Sequence, residues 1–251
     1  MRPPPQDAAA AFGAAWCELE RELDWQRLGA SYCEGPAEDF FTQERRERLL
    51  EVGLALGSEV ERALPDHGPQ RSLYVGAAVA ELAPILMEHV VLGRTVLWLN
   101  RPGDELDELV RAITAVGARL GLELPSPSTA ELSELPLEPC DHLWLVSVLT
   151  DPDAFPALHD ALYERAGTPL ATGRGDLAAE RTHAERLVVQ LLERAAPSAV
   201  LTTTDEELEI VAPLAAARAL DLALPARCQL SALAGDAVRV CSLRARSETE
   251  R

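Results

Sequence analysis

Ser72-Leu73-Tyr74-Val75-Gly76, then an apolar run over residues 79–90, then Thr95-Val96-Leu97-Trp98-Leu99-Asn100 form the stretch from which the fold is read. Two short runs rich in β-branched and aromatic residues bracket a longer amphipathic segment, which predicts strand, helix, strand. Residues 103–120 repeat the helical spacing, so the order is β-α-β-α. Strands that alternate with helices in this way lie parallel and are covered by their own crossovers.

Toward the C-terminus, His142-Leu143-Trp144-Leu145-Val146-Ser147-Val148-Leu149 is continuously apolar apart from its first residue and Ser147, as a central strand covered on both faces requires. Thr150-Asp151-Pro152-Asp153 then offers an N-cap, a proline for the first helical position and an acid for the helix dipole, predicting a helix to about Arg165. A long helix is expected over residues 176–196, a strand over 199–203, and a capping box at Thr204-x-x-Glu207 opening a helix that ends near Asp221. Residues 229–243, turning at Ala234-Gly235-Asp236, read as a β-hairpin. The fold class is therefore α/β, a mostly parallel sheet with helices on both faces and a C-terminal hairpin at one edge.

Upstream, Leu19, Leu23 and Leu28 with Trp16 and Trp25 give one helical pattern over residues 14–28, and residues 42–64 give a second. The intervening residues 29–41 are a loop with Gly35-Pro36 as its turn. Pro65-Asp66-His67-Gly68-Pro69 ends this region, dividing the chain into a helical N-terminal extension, residues 1–68, and a main domain, residues 69–251.

The chain has 251 residues with 41 acidic and 23 basic side chains, a formal charge of −18, and all of the basic ones are arginine. Without lysine there is no Schiff base, no Walker lysine and no kinase lysine. Nucleic acid is an unexpected partner, because phosphate binding needs a positive field. Glu81 and Glu88 interrupt the longest apolar run well short of a membrane span. The N-terminus lacks the apolar core of a signal peptide, so a cytoplasmic location is expected. Five scattered cysteines without a C-x-x-C pair, and five histidines without ligand spacing, predict reduced thiols and no metal.

Over residues 71–246 the element order resembles that of the class I S-adenosylmethionine-dependent methyltransferases, whose Rossmann-like sheet ends in a hairpin. Tyr74-Val75-Gly76-Ala77-Ala78-Val79-Ala80-Glu81 stands where that family carries an acidic residue followed by G-x-G-x-G, and Gly76 keeps the family residue. The resemblance implies that Tyr74, Gly76, Ala78 and Ala80 face the methionine end of the cofactor. Asn100 takes the place of the acid that holds the ribose hydroxyls, and Ser147 opens the fourth-strand motif at the methyl-transfer site. It also implies that the first strand lies beside the family's fourth, here the segment of residues 142–149. Tyr32, Cys33, Asp39, Phe40 and Phe41 cluster where the family often builds its acceptor site, and the helix over 176–196 is an added element, a lid or a partner surface.

The departures carry a physical cost. Ala78 and Ala80 bring methyl groups where glycine lets a backbone approach a ligand. Tyr74 supplies no charge, and Asn100 accepts a weaker hydrogen bond than a carboxylate. The resulting expectation is a methyltransferase-like protein that binds S-adenosylmethionine weakly or not at all and acts through a protein partner or as a homodimer. It would use an exposed apolar patch that includes Trp16, Trp25, Phe40 or Phe41. The alternative is an active S-adenosylmethionine-dependent methyltransferase with a divergent cofactor loop.

Overall fold

The computed structural model describes residues 5–33 and 40–246. The expected turn at Gly35-Pro36 and the candidate residue Asp39 lie outside them. Seven strands are described, β1 (Arg71–Val75), β2 (Thr95–Leu99), β3 (Cys140–Leu145), β4 (Ala195–Thr204), β5 (Leu220–Ala223), β6 (Gln229–Leu230) and β7 (Ala237–Ala245). They form one sheet in the order β2-β1-β3-β4-β7-β5, with β6 pairing along β7. β1 pairs parallel with β2 and with β3, so Tyr74 stands opposite both Trp98 and Trp144, and β3 pairs parallel with β4. From β1 the chain steps outward to β2, then returns across it to β3 and β4. The strand order reverses between β1 and β3, and a crevice opens outside their carboxyl ends.

Strand alternation divides the interior in two. Tyr74, Trp98 and Trp144 face one side with α1 (Pro5–Glu22), α2 (Trp25–Ala30), α3 (Gln43–Ala63), α4 (Leu82–Leu86) and α5 (Asp104–Leu120). Leu73, Val75, Leu143 and Leu145 face the other with α6 (Pro156–Leu162), α7 (Leu177–Leu192) and α8 (Leu208–Ala217). The result is a Rossmann-like α/β fold with helices on both faces. None of the helices among the described residues is long and apolar enough to cross a membrane.

Several boundaries differ from the sequence reading, each for a local reason. The pattern over residues 14–28 is two helices, because Asp24 accepts from Arg27 N and caps α2 instead of continuing α1. Residues 79–90 are not one helix: a 3-10 turn over Val79–Glu81 leads into α4, and Met87–Val91 winds as a π turn that carries Glu88 inward. β3 stops at Leu145, short of the expected Leu149, because Ser147 adopts φ +57° and turns the chain. Asp151 accepts from Asp153 N and Ala154 N in an Asx turn, so α6 begins later, with Pro156 rather than Pro152 at its first position. α7 ends at Leu192 and β4 starts at Ala195, where the β3 register shifts between Cys140 and His142 next to Pro197, a residue without an N–H to donate. The helix expected to reach Asp221 ends at Ala217. Ala219 turns at φ +56°, and β5 becomes the sheet edge, leaving β7 inside it.

The aromatic patch expected on the N-terminal helices is consumed by the core. Trp16 and Phe41 are 6% and 4% exposed, and Trp25 and Phe40 are half-buried in a ring cluster with Tyr32 and Phe41. The apolar residues of these helices had the sheet to cover, and they cover it.

Between the sheet and the π turn lies a buried polar network. Glu88 Oε1 accepts from Tyr74 Oη at 2.5 Å and Glu88 Oε2 from Arg94 Nε at 2.9 Å and from Ser72 Oγ. His142 Nδ1 lies 2.7 Å from Glu88 Oε1 without the alignment of a hydrogen bond. The Arg94 guanidinium also reaches Asp141, which accepts from Gln70 N and Arg71 N at 3.0 and 3.1 Å. Burial alone would raise the Glu88 pKa, but His142, Ser72 and Tyr74 outweigh it and hold the carboxyl at about 2. A carboxyl lowered in the folded state contributes stability above its unfolded value of about 4.5, and that contribution is lost as pH falls through about 2. Glu88→Gln is expected to cost about 3–5 kcal/mol in urea unfolding at pH 7, because it leaves Arg94 short of a counter-charge. The acid dependence of stability between pH 4.5 and 2 should shrink with it; an unchanged midpoint and slope would remove Glu88 from this role.

Candidate functional site

Two adjoining cavities open at the carboxyl ends of β1, β2 and β3, of about 550 and 1030 Å³. Gly76, Asn100, Arg101, Pro102, Ser147 and Asp151 line both and form the ridge between them. The smaller is largely apolar, with Leu99, Leu132, Phe155 and Leu187, and α7 contributes His183, Arg186 and Gln190 to its wall. The expected added helix is therefore a wall of the crevice. The larger is bounded by Tyr32 and Phe40 and reaches inward to Trp144, Val146 and Val238.

Of the residues singled out in the sequence, Gly76, Asn100 and Ser147 line both cavities, and Ala78 and Ala80 line the larger. Tyr74 lines neither: it is fully buried, stacked on Trp144 at 5.0 Å, with its hydroxyl on Glu88. Gly76 sits at φ +69°, and a side chain there would meet Val148 Cγ2 at 2.5 Å, so this position requires glycine. Ala78 does not: at φ −131°, ψ −156° it is extended backbone that any residue adopts. The Asn100 side-chain oxygen accepts from Arg101 N at 2.7 Å, and Arg101 in turn reaches Asp151 at 2.6 Å.

Carboxylates hold the loops of this crevice. Ala78 N donates to Glu81 Oε2 at 2.8 Å and Val79 N to Glu105 Oε1 at 3.0 Å, and Tyr32 Oη reaches the same Glu105 oxygen at 2.6 Å. At the exit of β3, Val148 N and Leu149 N both donate to Glu207 Oε1, at 2.7 and 2.9 Å. Glu207 N returns to Thr204 Oγ1 and Glu207 Oε2 accepts from Thr204 N, the capping box expected from the sequence. Ser147 and Tyr163 donate to the two oxygens of Asp236, at 3.0 and 2.7 Å. A non-glycine residue at positive φ costs about 1–2 kcal/mol. At Ser147 its own hydroxyl and the two N–H groups after it hold the turn in place.

Burial pushes Glu81 up to about 8, with Glu105 adding to the rise, and pushes Glu207 up to about 7 despite its N–H donors. Glu105 is raised by burial and by Asp151, and Tyr163 by burial and by its bond to Asp236. Sequence reasoning missed Glu81, Glu105, Glu207, Tyr163 and Asp236 as parts of one site. The capping-box spacing marked Glu207, and Glu81 and Asp236 entered only as parts of a loop motif and a hairpin turn, because the five meet through the fold alone. Among the described residues, no three His, Cys, Asp or Glu gather as a metal site.

No protein-family description and no curated protein matches the chain. Among solved structures it is similar to magnesium protoporphyrin IX methyltransferase from Synechocystis PCC 6803 with bound SAH, at a TM-score of 0.50 and 10% identity over 87% of this chain and 93% of that one. The same enzyme with bound SAM gives 0.49 and 12%, over 87% and 90%. An O-methyltransferase family protein from Burkholderia thailandensis gives 0.46 and 12%, over 98% and 72%. At these identities the likeness is one of fold alone.

The raised carboxyls have a pH signature. A carboxyl whose folded pKa exceeds its unfolded value contributes stability below that value, about 4.5 here, and loses it as pH rises through the folded value, about 8 for Glu81. Glu81→Gln keeps an acceptor for Ala78 N and removes the ionisation. It should raise the melting temperature by about 2–4 °C at pH 8.5 and leave it unchanged at pH 5. An equal effect at both pH values would show that Glu81 ionises freely in the folded protein.

Proposed function

We propose that this chain is an S-adenosylmethionine-dependent methyltransferase with a divergent cofactor loop, which binds its cofactor across the ridge between the two cavities. The observation that carries the reading is the juxtaposition of Gly76, Asn100 and Ser147 on that ridge, at the switch point of the sheet, with cavity space on either side. Both volumes fall at or near the range of about 300–1,000 Å³ usual for small-molecule sites. The apolar slot of Leu99, Leu132, Phe155 and Leu187 suits a flat purine, the ridge at Asn100 a ribose, and the acid-rich side of the larger cavity the positive charges of a sulfonium and an ammonium.

One part of the fit is poor. A loop entering a helix offers its N–H groups to anions, but Ala78 N and Val79 N already donate to Glu81 and Glu105. The carboxylate of the cofactor would have to displace these side chains or bind elsewhere, which favours weak affinity. When bound, the cofactor supplies an electrophilic methyl group on a cationic sulfur. The work of the chain is to hold that group against the ridge, to exclude water with the walls from α7 and the N-terminal aromatics, and to set Ser147, Tyr163 and Asp236 beside the acceptor space.

The second reading, a methyltransferase fold that has lost the cofactor and acts through protein binding, is favoured by the same capped N–H groups and by the burial of Tyr74. Calorimetry with S-adenosylmethionine and S-adenosylhomocysteine separates the two. We expect binding with Kd of the order of 10⁻⁴ M, tightened about three- to tenfold by Asn100→Asp, which offers the ribose a charged acceptor. Leu187→Glu, which puts a charge into the purine slot, should abolish it. Absence of binding at millimolar ligand would overturn the enzyme reading in favour of the second.

A further inference from the structure

A nucleoside lying across the ridge, with its base in the smaller cavity, sends whatever its sulfur carries into the larger cavity along Gly76, Ala78 and Ala80. An amino-acid arm ends in a carboxylate. An anion that leaves water is costly to bury unless N–H groups or a cation receive it. The loop after β1 has spent its N–H groups within the chain. Gly76 N donates to Leu99 O at 2.8 Å, Ala78 N to Glu81 Oε2 at 2.8 Å, Val79 N to Glu105 Oε1 at 3.0 Å and Glu81 N to Ala78 O at 3.2 Å. The Trp98 indole, donating to Ala77 O at 2.7 Å, pins the loop in this arrangement.

The positive groups nearby are engaged as well. Arg101 is the one arginine among the residues lining the larger cavity, and its guanidinium lies 2.6 Å from Asp151. His159 lines the same cavity with Nδ1 2.6 Å from Thr150 O and Nε2 3.1 Å from Arg165 Nη1, so both ring nitrogens have partners. The N-terminus of α5 opens on this space, but Asp104, Glu105 and Asp107 in its first turn already complement its dipole and would crowd a further carboxylate. To seat an anion at Ala78, Glu81, itself 9% exposed, would have to give up the N–H it holds. At Val79, Glu105 would have to leave both the N–H and the Tyr32 hydroxyl. An arm without a carboxylate displaces nothing.

We propose that the crevice favours a thioadenosine ligand whose arm carries no carboxylate, and that Glu81 and Glu105, as standing occupants of the anion seat, discriminate against an amino-acid arm. This selectivity rests on the adenosine half of the cofactor reading above. It names Glu81 and Glu105 as the residues that decide which arm is accepted. Neither needs to be ionised for this, because a neutral carboxyl oxygen accepts from an N–H as well.

Calorimetry on the full chain with three ligands that share the thioadenosine provides the test: S-adenosylhomocysteine, its decarboxylated analogue with the amine kept, and methylthioadenosine, which has neither group. The decarboxylated analogue should bind at least about tenfold tighter than S-adenosylhomocysteine, a difference of about 1.4 kcal/mol. Methylthioadenosine should bind no more weakly than S-adenosylhomocysteine despite its shorter arm, which separates loss of the carboxylate from attraction of the amine. Glu81→Ala, which frees Ala78 N, should narrow the gap between the matched pair about threefold or more. Glu81→Gln still accepts from Ala78 N and should keep the gap. If Glu81→Ala does not fold, Glu105→Ala, which frees Val79 N, makes the same comparison. S-adenosylhomocysteine binding as tightly as its decarboxylated analogue, or more tightly than methylthioadenosine, overturns the proposal and leaves the cofactor reading standing. A gap that survives both alanine variants overturns the role of Glu81 and Glu105. Absence of binding by all three ligands overturns the proposal and the cofactor reading together.

Discussion

A carboxylate in the middle of a protein is tolerated only if donors meet it, and the placement of Glu88 sets what the surrounding elements must do. Its donors come from β1 through Ser72 and Tyr74 and from the segment before β2 through Arg94; His142 of β3 lies against it. Arg94 extends the chain to Asp141, which takes the two N–H groups leading into β1. The parallel register of β1 and β3 is thus fixed by charge on the side where Tyr74 and Trp144 stack, in addition to the ladder itself. The π turn at Met87–Val91 is the local deformation that brings Glu88 to this position. Because β1 and β3 flank the switch point, the geometry of the crevice depends on this buried pairing.

The crevice repeats the same device at its rim. Where glycine-rich loops keep their N–H groups for a ligand, this chain ties them to its own carboxyls: Glu81 and Glu105 after β1, Glu207 after β3, with Asp236 on the hydroxyl of Ser147. Burial raises the pKa of Glu81 and of Glu207, as the removal of carboxyl groups from water without a paired cation requires. A site built in this way is preorganised, because the N–H groups that follow β1 and β3 are already met by acceptors of the chain itself.

Much of the architecture was legible in the sequence because periodicity reports burial. The runs at Leu73, Leu97 and Leu143 are apolar on both sides of the chain, as covered parallel strands must be, and Thr204-x-x-Glu207 marked a helix start that the fold keeps. What was not legible depended on single residues whose conformation is decided by distant partners. Ser147 reads as part of an apolar strand, yet it turns at positive φ because Asp236 and Glu207 hold it there. β5 was hidden in a helical pattern, since Leu220 and Leu222 fit either period until β7 supplies a ladder partner. Tyr74 was read toward the cavity from its place in a motif, whereas strand alternation sends it to the opposite end of the interior, onto Glu88. Trp16 and Phe41 looked available for a partner because a sequence does not say which apolar residues its own sheet will cover.

The hydrogen bonds that shape the crevice also set when it can exist. Val148 and Glu207 are 59 positions apart, Tyr32 and Glu105 73, and Ser147 and Asp236 89. Contacts of such long range carry a loop-closure cost and form late relative to local helices. During synthesis a nascent chain can pair β1 with β2 and β3 while β7 is still inside the ribosome, but it has neither the carboxylate that grips the β3 turn nor the one that meets Ser147. The carboxylates that hold the turn after β3 are therefore delivered by the later part of the described chain, after β1, β2 and β3 have been laid down.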